Sequence, residues 1–116
     1  MMASQSLDLI RGTLDVLILK SLSDGPQHGY GVGRWIREET EGELQIEEGA
    51  LYPALHRLEN RKWVASTWGV TENNRRAKYY RMTAKGEKHL HAEVERWTRY
   101  ANAVGRILRP TRQASQ

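Results

Sequence analysis

Apolar residues along this chain recur with a helical period in four places and a strand-like alternation in two. Leu7, Ile10, Leu14, Leu17, Ile18 and Leu22 mark one face of a first helix. Leu9, Val16 and Leu19 lie off that face. A helix apolar on more than one side is buried on more than one side, which in so short a chain points to a second subunit. Ser23-Asp24-Gly25-Pro26 ends it. A second helix is expected from His28 to Glu39, with Val32, Trp35 and Ile36 inward. Gly29, Gly31 and Gly33 inside it suit either close backbone packing, the favoured reading, or the approach of a phosphate to the helix start. The acidic stretch Thr40 to Gln45 reads as a turn.

A third helix is expected over Glu48 to Arg61, with Leu51, Leu55 and Leu58 on one face. Pro53 argues that its regular part starts at Gly49 or Ala50, because proline is tolerated only near a helix start. Trp63 to Trp68 and Ala77 to Met82 alternate as strands, with Gly69 to Arg75 as the loop between them. Thr83 is a good N-cap for a last helix, Ala84 to Leu108, about 37 Å long. Its apolar positions Leu90, Val94, Trp97, Ala101, Val104 and Leu108 form a heptad seam. The fold class is therefore mostly α with a small β-hairpin: a winged helix-turn-helix plus a long C-terminal dimerisation helix. Three parts are expected: a DNA-binding unit over 1–83 whose first helix is shared with the dimer interface, a dimerisation helix over 84–108, and a tail over 109–116.

Charge sharpens this picture. The chain has 116 residues and a formal net charge of +4. Residues 38–55 carry six acids and no base, whereas residues 56–84 carry seven bases and two acids. A polyanion suits such a distribution. With no cysteine there is no disulfide or thiolate metal site. No secretory leader pattern and no apolar run of membrane-spanning length stand out, so a cytoplasmic protein is expected. His28, His56, His89 and His91 lack a zinc spacing, and no nucleophile triad or phosphate-cradling loop is present, so neither an enzyme nor a cofactor is expected.

In a winged helix-turn-helix the third helix enters the major groove and the hairpin loop lies beside it. Tyr52, His56 and Arg57 lie off the apolar face of that helix, and Arg75, Arg76 and Lys78 stand at the end of the hairpin loop. These are candidate phosphate and base contacts. Arg57 also has Glu48 and Glu59 within reach as ion-pair partners.

Several strings resemble the PadR-like transcriptional regulators. They are Arg11-Gly12-Thr13-Leu14, His28-Gly29-Tyr30, the run Gly49-Ala50-Leu51-Tyr52-Pro53-Ala54-Leu55-His56-Arg57-Leu58-Glu59, and Arg75-Arg76-Ala77-Lys78-Tyr79-Tyr80-Arg81-Met82-Thr83 with Gly86. The resemblance spans about four fifths of the chain. It implies a homodimer that binds double-stranded inverted-repeat DNA and answers to a small molecule or another signal. The DNA-binding residues it implies are Tyr30, Gly49, Tyr52, Pro53, His56, Arg57, Arg75, Arg76 and Lys78. The dimer would be held by Leu9, Val16, Leu90, Val94, Trp97, Ala101, Val104 and Leu108. Trp97 suits two roles, a packed dimer anchor or one wall of a slot for a small aromatic effector, while Trp35, Trp63 and Trp68 read as core or hairpin packing. The chain departs from the family pattern at Lys62, where a glycine usually ends the third helix. It departs again at Asn74 and Ala77, around the arginine run of the wing. A left-handed turn at Lys62 is thus not expected, unless Asn60 or a neighbour takes it up. These departures keep a second reading open, a dimeric protein-interaction module of the same fold with weak or lost DNA binding.

Overall fold

The computed structural model describes residues 12–110. The elements run α1 (Thr13–Ser21), β1 (Gln27–His28), α2 (Gly29–Glu39), α3 (Glu48–Asn60), β2 (Val64–Val70), β3 (Arg76–Met82) and α4 (Ala84–Leu108). Leu9, with Leu7 and Ile10, lies outside the described residues, as do positions 111–116 of the expected tail. Among the described residues no helix is long and apolar enough to cross a membrane.

The core forms where α1, α2 and α3 turn their apolar faces toward one another. Ile18, Leu19, Val32, Ile36, Leu55 and Leu58 are buried there, and Val64, Tyr80 and Leu90 close it from the hairpin and α4. Each such aliphatic side chain contributes about 1.5–3 kcal/mol by leaving water. Val16 and Leu17 are half-buried against this core, so α1 is apolar on two sides as its pattern indicates.

The sheet differs from the expected hairpin in two ways. It has three strands in the order β1-β3-β2, because Gln27 and His28 pair antiparallel with Tyr80 and Tyr79. A two-residue strand is too short to leave an alternation, and His28 stands just before the helix rather than inside it. Its ring Nδ1 instead accepts from the Gly31 N–H at 3.0 Å, capping α2 from outside. The hairpin is also longer at its tip: Gly69 pairs with Ala77 and Val70 with Arg76. Arg76 is therefore a strand residue, and only residues 71–75 make the loop.

α3 begins at Glu48, before Gly49, although Pro53 lies well inside it. The Glu47 carbonyl accepts from both Ala50 and Leu51 at 2.9 Å, which starts the helix firmly. Proline removes the donor that would reach the Gly49 carbonyl, and Gly49 is exposed, so water can satisfy that group.

The end of α3 corrects a second expectation. Lys62 itself takes the left-handed conformation, with φ 68°. Its N–H donates to the Glu59 carbonyl at 3.0 Å, and the Trp63 N–H donates to the Leu58 carbonyl at 3.1 Å, the paired bonds of a Schellman turn. The Thr83 hydroxyl donates to the Lys62 carbonyl at 2.7 Å and accepts from the Gly86 N–H at 3.0 Å. The Thr83 N–H in turn donates to the Trp63 carbonyl at 3.0 Å. One threonine thus caps α4 and ties it to the end of α3. Gly86 is required at this joint, since a Cβ there would overlap the Trp63 carbonyl oxygen.

Candidate nucleic-acid interface

A groove lies between α2, α3 and the hairpin. Tyr30, Arg34, Tyr52, Trp68, Arg75, Arg76 and Lys78 all line it, together with His28 and Glu72, around a cavity of about 520 Å³. Four cations against one carboxylate leave it positive, as a phosphate backbone requires.

Each polar side chain reaches this groove through a local cause. Gly29 opens α2, and a Cβ there would come within 2.5 Å of the Tyr52 ring. The missing side chain lets Tyr52 of α3 lie across the start of α2. Close packing, rather than room for a phosphate, therefore accounts for this glycine. Burial pushes the Tyr52 phenol above its ordinary value, and the Glu48 carboxylate adds to that. The phenol stays neutral near pH 7 and can donate a hydrogen bond. Tyr30 is exposed, and the Arg34 guanidinium one turn later lies 5.7 Å over its ring.

The hairpin supplies the opposite wall. The register pairs Ser66 with Tyr80, Trp68 with Lys78, and Val70 with Arg76, which puts these six on one face. Ser66 and Tyr80 lie at the core end of that face. The Ser66 hydroxyl donates to the Glu59 carboxylate of α3 at 2.5 Å, and Lys78 Nζ approaches the same carboxylate at 3.5 Å. The hydroxyl donation first, and the lysine charge after it, outweigh burial and hold the Glu59 carboxyl below the usual carboxylate range. At the tip, Asn74 adopts φ 62°, the conformation that a glycine would take easily and asparagine tolerates. Its N–H donates to the Thr71 carbonyl at 2.8 Å, and the Thr71 N–H donates to the Arg75 carbonyl at 2.8 Å. The substitution of asparagine for glycine thus leaves a closed tip.

The candidate residues do not all stand in one place. Tyr30, Tyr52, Arg75, Arg76 and Lys78 meet in the groove. Gly49 lies in an adjoining depression of about 530 Å³, with Tyr30, Arg34, Arg37 and Tyr52. Pro53 and His56 are exposed on α3 outside both. Arg57 points away, toward α1, where it pairs with Asp15 at 2.7 Å; neither glutamate on its own helix is its partner. Arg34 was missed. Its signal was present, since it follows Tyr30 by four residues and so shares its helix face.

A third crevice, of about 390 Å³, lies between α1 and α4. Gly12, Thr13 and Val16 line one side and Glu93, Arg96, Trp97 and Tyr100 the other. It brings Val16 and Trp97 together within one protomer. Beyond Leu90 the apolar positions of α4 are less covered: Val94 is 41 % and Leu108 is 74 % exposed, while Ala101 and Val104 are half-buried. His89 is stacked on Trp63 at 3.6 Å, and among the described residues no group of three His, Cys, Asp or Glu could hold a metal.

Residues 18–92 match the model of the transcriptional regulator PadR-like family, more than half of the chain. The chain belongs to this family. Solved structures agree along nearly the whole described length. A transcriptional regulator from Clostridium thermocellum is 34 % identical, with a TM-score of 0.77 over 86 % of this chain and 97 % of that one. A PadR family regulator from Eggerthella lenta is 32 % identical, with a TM-score of 0.72 over 87 % of this chain and 86 % of its own. An uncharacterized protein of Lysinibacillus sphaericus is 33 % identical over 90 residues, which is 78 % of this chain and 83 % of that protein. As a PadR-family member the chain is a DNA-binding transcriptional regulator and not an enzyme.

Proposed function

We propose that this PadR-family chain is a homodimeric repressor that binds an inverted-repeat operator through the groove between α2, α3 and the hairpin. The observation that carries this reading is the convergence of Tyr30, Tyr52, Arg75, Arg76 and Lys78, with Arg34, on one positive groove. Tyr52, Gly49, Pro53 and His56 belong to the α3 side that faces the major groove, and Arg75 and Arg76 to the backbone beside it. Arg57 joins this surface only when it leaves Asp15. Exposed ion pairs are worth about 0–1 kcal/mol, so a phosphate can compete for it.

The unit up to residue 83 carries the DNA contacts, and α4 carries the dimer. The stripe of Val94, Trp97, Ala101, Val104 and Leu108, with Val16 of α1, is the surface for a second copy. A planar aromatic compound lodged beside Trp97 would act as the effector. It would touch Thr13 and Val16 of α1, the helix whose Asp15 holds Arg57 of α3. A ligand that binds one placement of α1 better than another would thereby bias the position of α3.

The test is a mobility shift on inverted-repeat DNA from the protein's own promoter region, repeated across salt. Affinity should fall steeply with salt, and the Arg75→Ala/Arg76→Ala double variant should bind more weakly with a shallower salt slope. Absence of any shift at low salt would favour the protein-interaction module instead. For the effector, fluorescence titration with planar cationic dyes should show weaker binding to Trp97→Ala, and equal binding would sink the pocket.

A further inference from the structure

Trp68 has no packing role that accounts for its place. On its face of β2, burial fades along the strand: Val64 is in the core, Ser66 is half-buried, and Trp68 and Val70 are exposed. Trp68 is 60 % exposed, although an indole is the largest apolar side chain available for burial. The same face turns toward the groove, and Trp68 lines it across from Tyr30 and Tyr52. Its cross-strand neighbour is Lys78, and the Arg76 guanidinium lies 4.7 Å over its ring. Among the described residues Arg76 has no carboxylate within ion-pair distance, in contrast to Lys78, Arg57 and Arg34.

A guanidinium laid on an indole is held by the ring's negative face while its N–H edge stays outward. That edge can then donate to a phosphate without first losing the freedom of a long side chain. Lys78, the cross-strand partner of Trp68, supplies a second charge one residue pair along the same face of the hairpin. The exposed remainder of the indole offers an apolar surface to the sugar between two phosphates. We propose that Trp68 is a positioning residue for DNA binding, which fixes Arg76 against the backbone and packs on the adjacent deoxyribose. This inference rests on the groove being the DNA site.

The experiment measures duplex affinity and its salt slope for the full chain and for Trp68→Leu, Trp68→Phe, Arg76→Ala and Trp68→Leu/Arg76→Ala. Trp68→Leu should weaken binding about ten-fold and lower the salt slope by about one, as Arg76→Ala does. The double variant should be little worse than the weaker single variant, and Trp68→Phe, which keeps an aromatic face, should recover most of the affinity. Thermal unfolding of Trp68→Leu should match the parent chain, because the indole is mostly exposed; Trp68→Phe keeps the test open if leucine disturbs the hairpin. Parent-like affinity and slope in Trp68→Leu, or fully multiplicative losses in the double variant, would overturn the proposal while leaving the groove as the DNA site. No duplex binding by the parent chain would overturn both.

Discussion

α3 and α4 both place apolar side chains three and four residues apart, yet one seam is closed within the protomer and the other is open. Leu51, Leu55 and Leu58 of α3 are almost wholly covered by α1, α2 and the hairpin. Along the α4 seam only Leu90 is fully buried; Ala101 and Val104 are half-buried, and Val94, Trp97 and Leu108 are exposed. Periodicity identifies the face that wants cover, and chain length decides whether the protomer can provide it. The body is compact around α3, whereas α4 runs past it, in a molecule 59 Å long and 21 Å thin.

The largest expected effect sets these two seams directly against each other. Leu55→Ala should cost about 2–5 kcal/mol in denaturant unfolding, because it empties a fully enclosed site. Leu108→Ala should leave the protomer nearly unchanged and weaken self-association, seen as a rise of the unfolding midpoint with protein concentration that sets in only at higher concentrations than in the parent chain. Equal losses in the two variants would erase the contrast.

The winged region can be probed next through its glycines. Gly29→Ala drives a Cβ into the Tyr52 ring and should cost about 1–3 kcal/mol, with weaker DNA binding because Tyr52 moves. Gly33→Ala makes only an ordinary contact with Leu51, 3.6 Å away. It should be neutral or stabilising by up to about 1 kcal/mol, from the helix preference for alanine. Thermal unfolding of the two variants in parallel checks both signs.

The joint between the two regions gives a smaller and opposite effect. Lys62 holds a left-handed turn that costs a side-chain-bearing residue about 1 kcal/mol. Lys62→Gly should therefore stabilise the fold by about that amount without disturbing the Thr83 hydroxyl bond, which uses the Lys62 carbonyl. Destabilisation would mean that the lysine side chain contributes more than the turn costs.

The smallest effect lies within the wing support. The Glu59 carboxyl is held below its ordinary range by Ser66 and Lys78, so its contribution is full above the ordinary carboxylate range of the unfolded chain and is lost as pH falls through the lower folded value. Glu59→Gln should be less stable than the parent by about 0.5 kcal/mol at pH 7, with the gap closing in acid. A gap that persists unchanged in acid would assign the effect to packing rather than to charge.

Much of the fold was legible because its signals are local. Helical spacing, the Pro26 and Gly25 break and the Thr83 cap located the four helices, and alternation located the hairpin. What escaped depended on partners distant in sequence. β1 exists only because β3 offers it an edge, and two residues cannot show a period. Lys62 carries a glycine-like turn because the Schellman bonds and the Thr83 staple enforce it, which composition cannot reveal. At the groove, Tyr30, Tyr52, Arg75, Arg76 and Lys78 were readable from motif and charge. Trp68 read as packing, because its exposure depends on where the core ends. Arg57 read as a surface contact, because its partner Asp15 lies 42 positions earlier on another helix.

The open seam of α4 is the feature on which the account of a dimeric DNA-binding regulator depends. Sedimentation equilibrium of the chain, alone and with a duplex carrying its inverted repeat, tests it most directly. The prediction is two copies in solution and two copies per duplex, with Val94→Asp reduced to one copy in solution. A single copy at every concentration, bound singly to the duplex, would contradict the account.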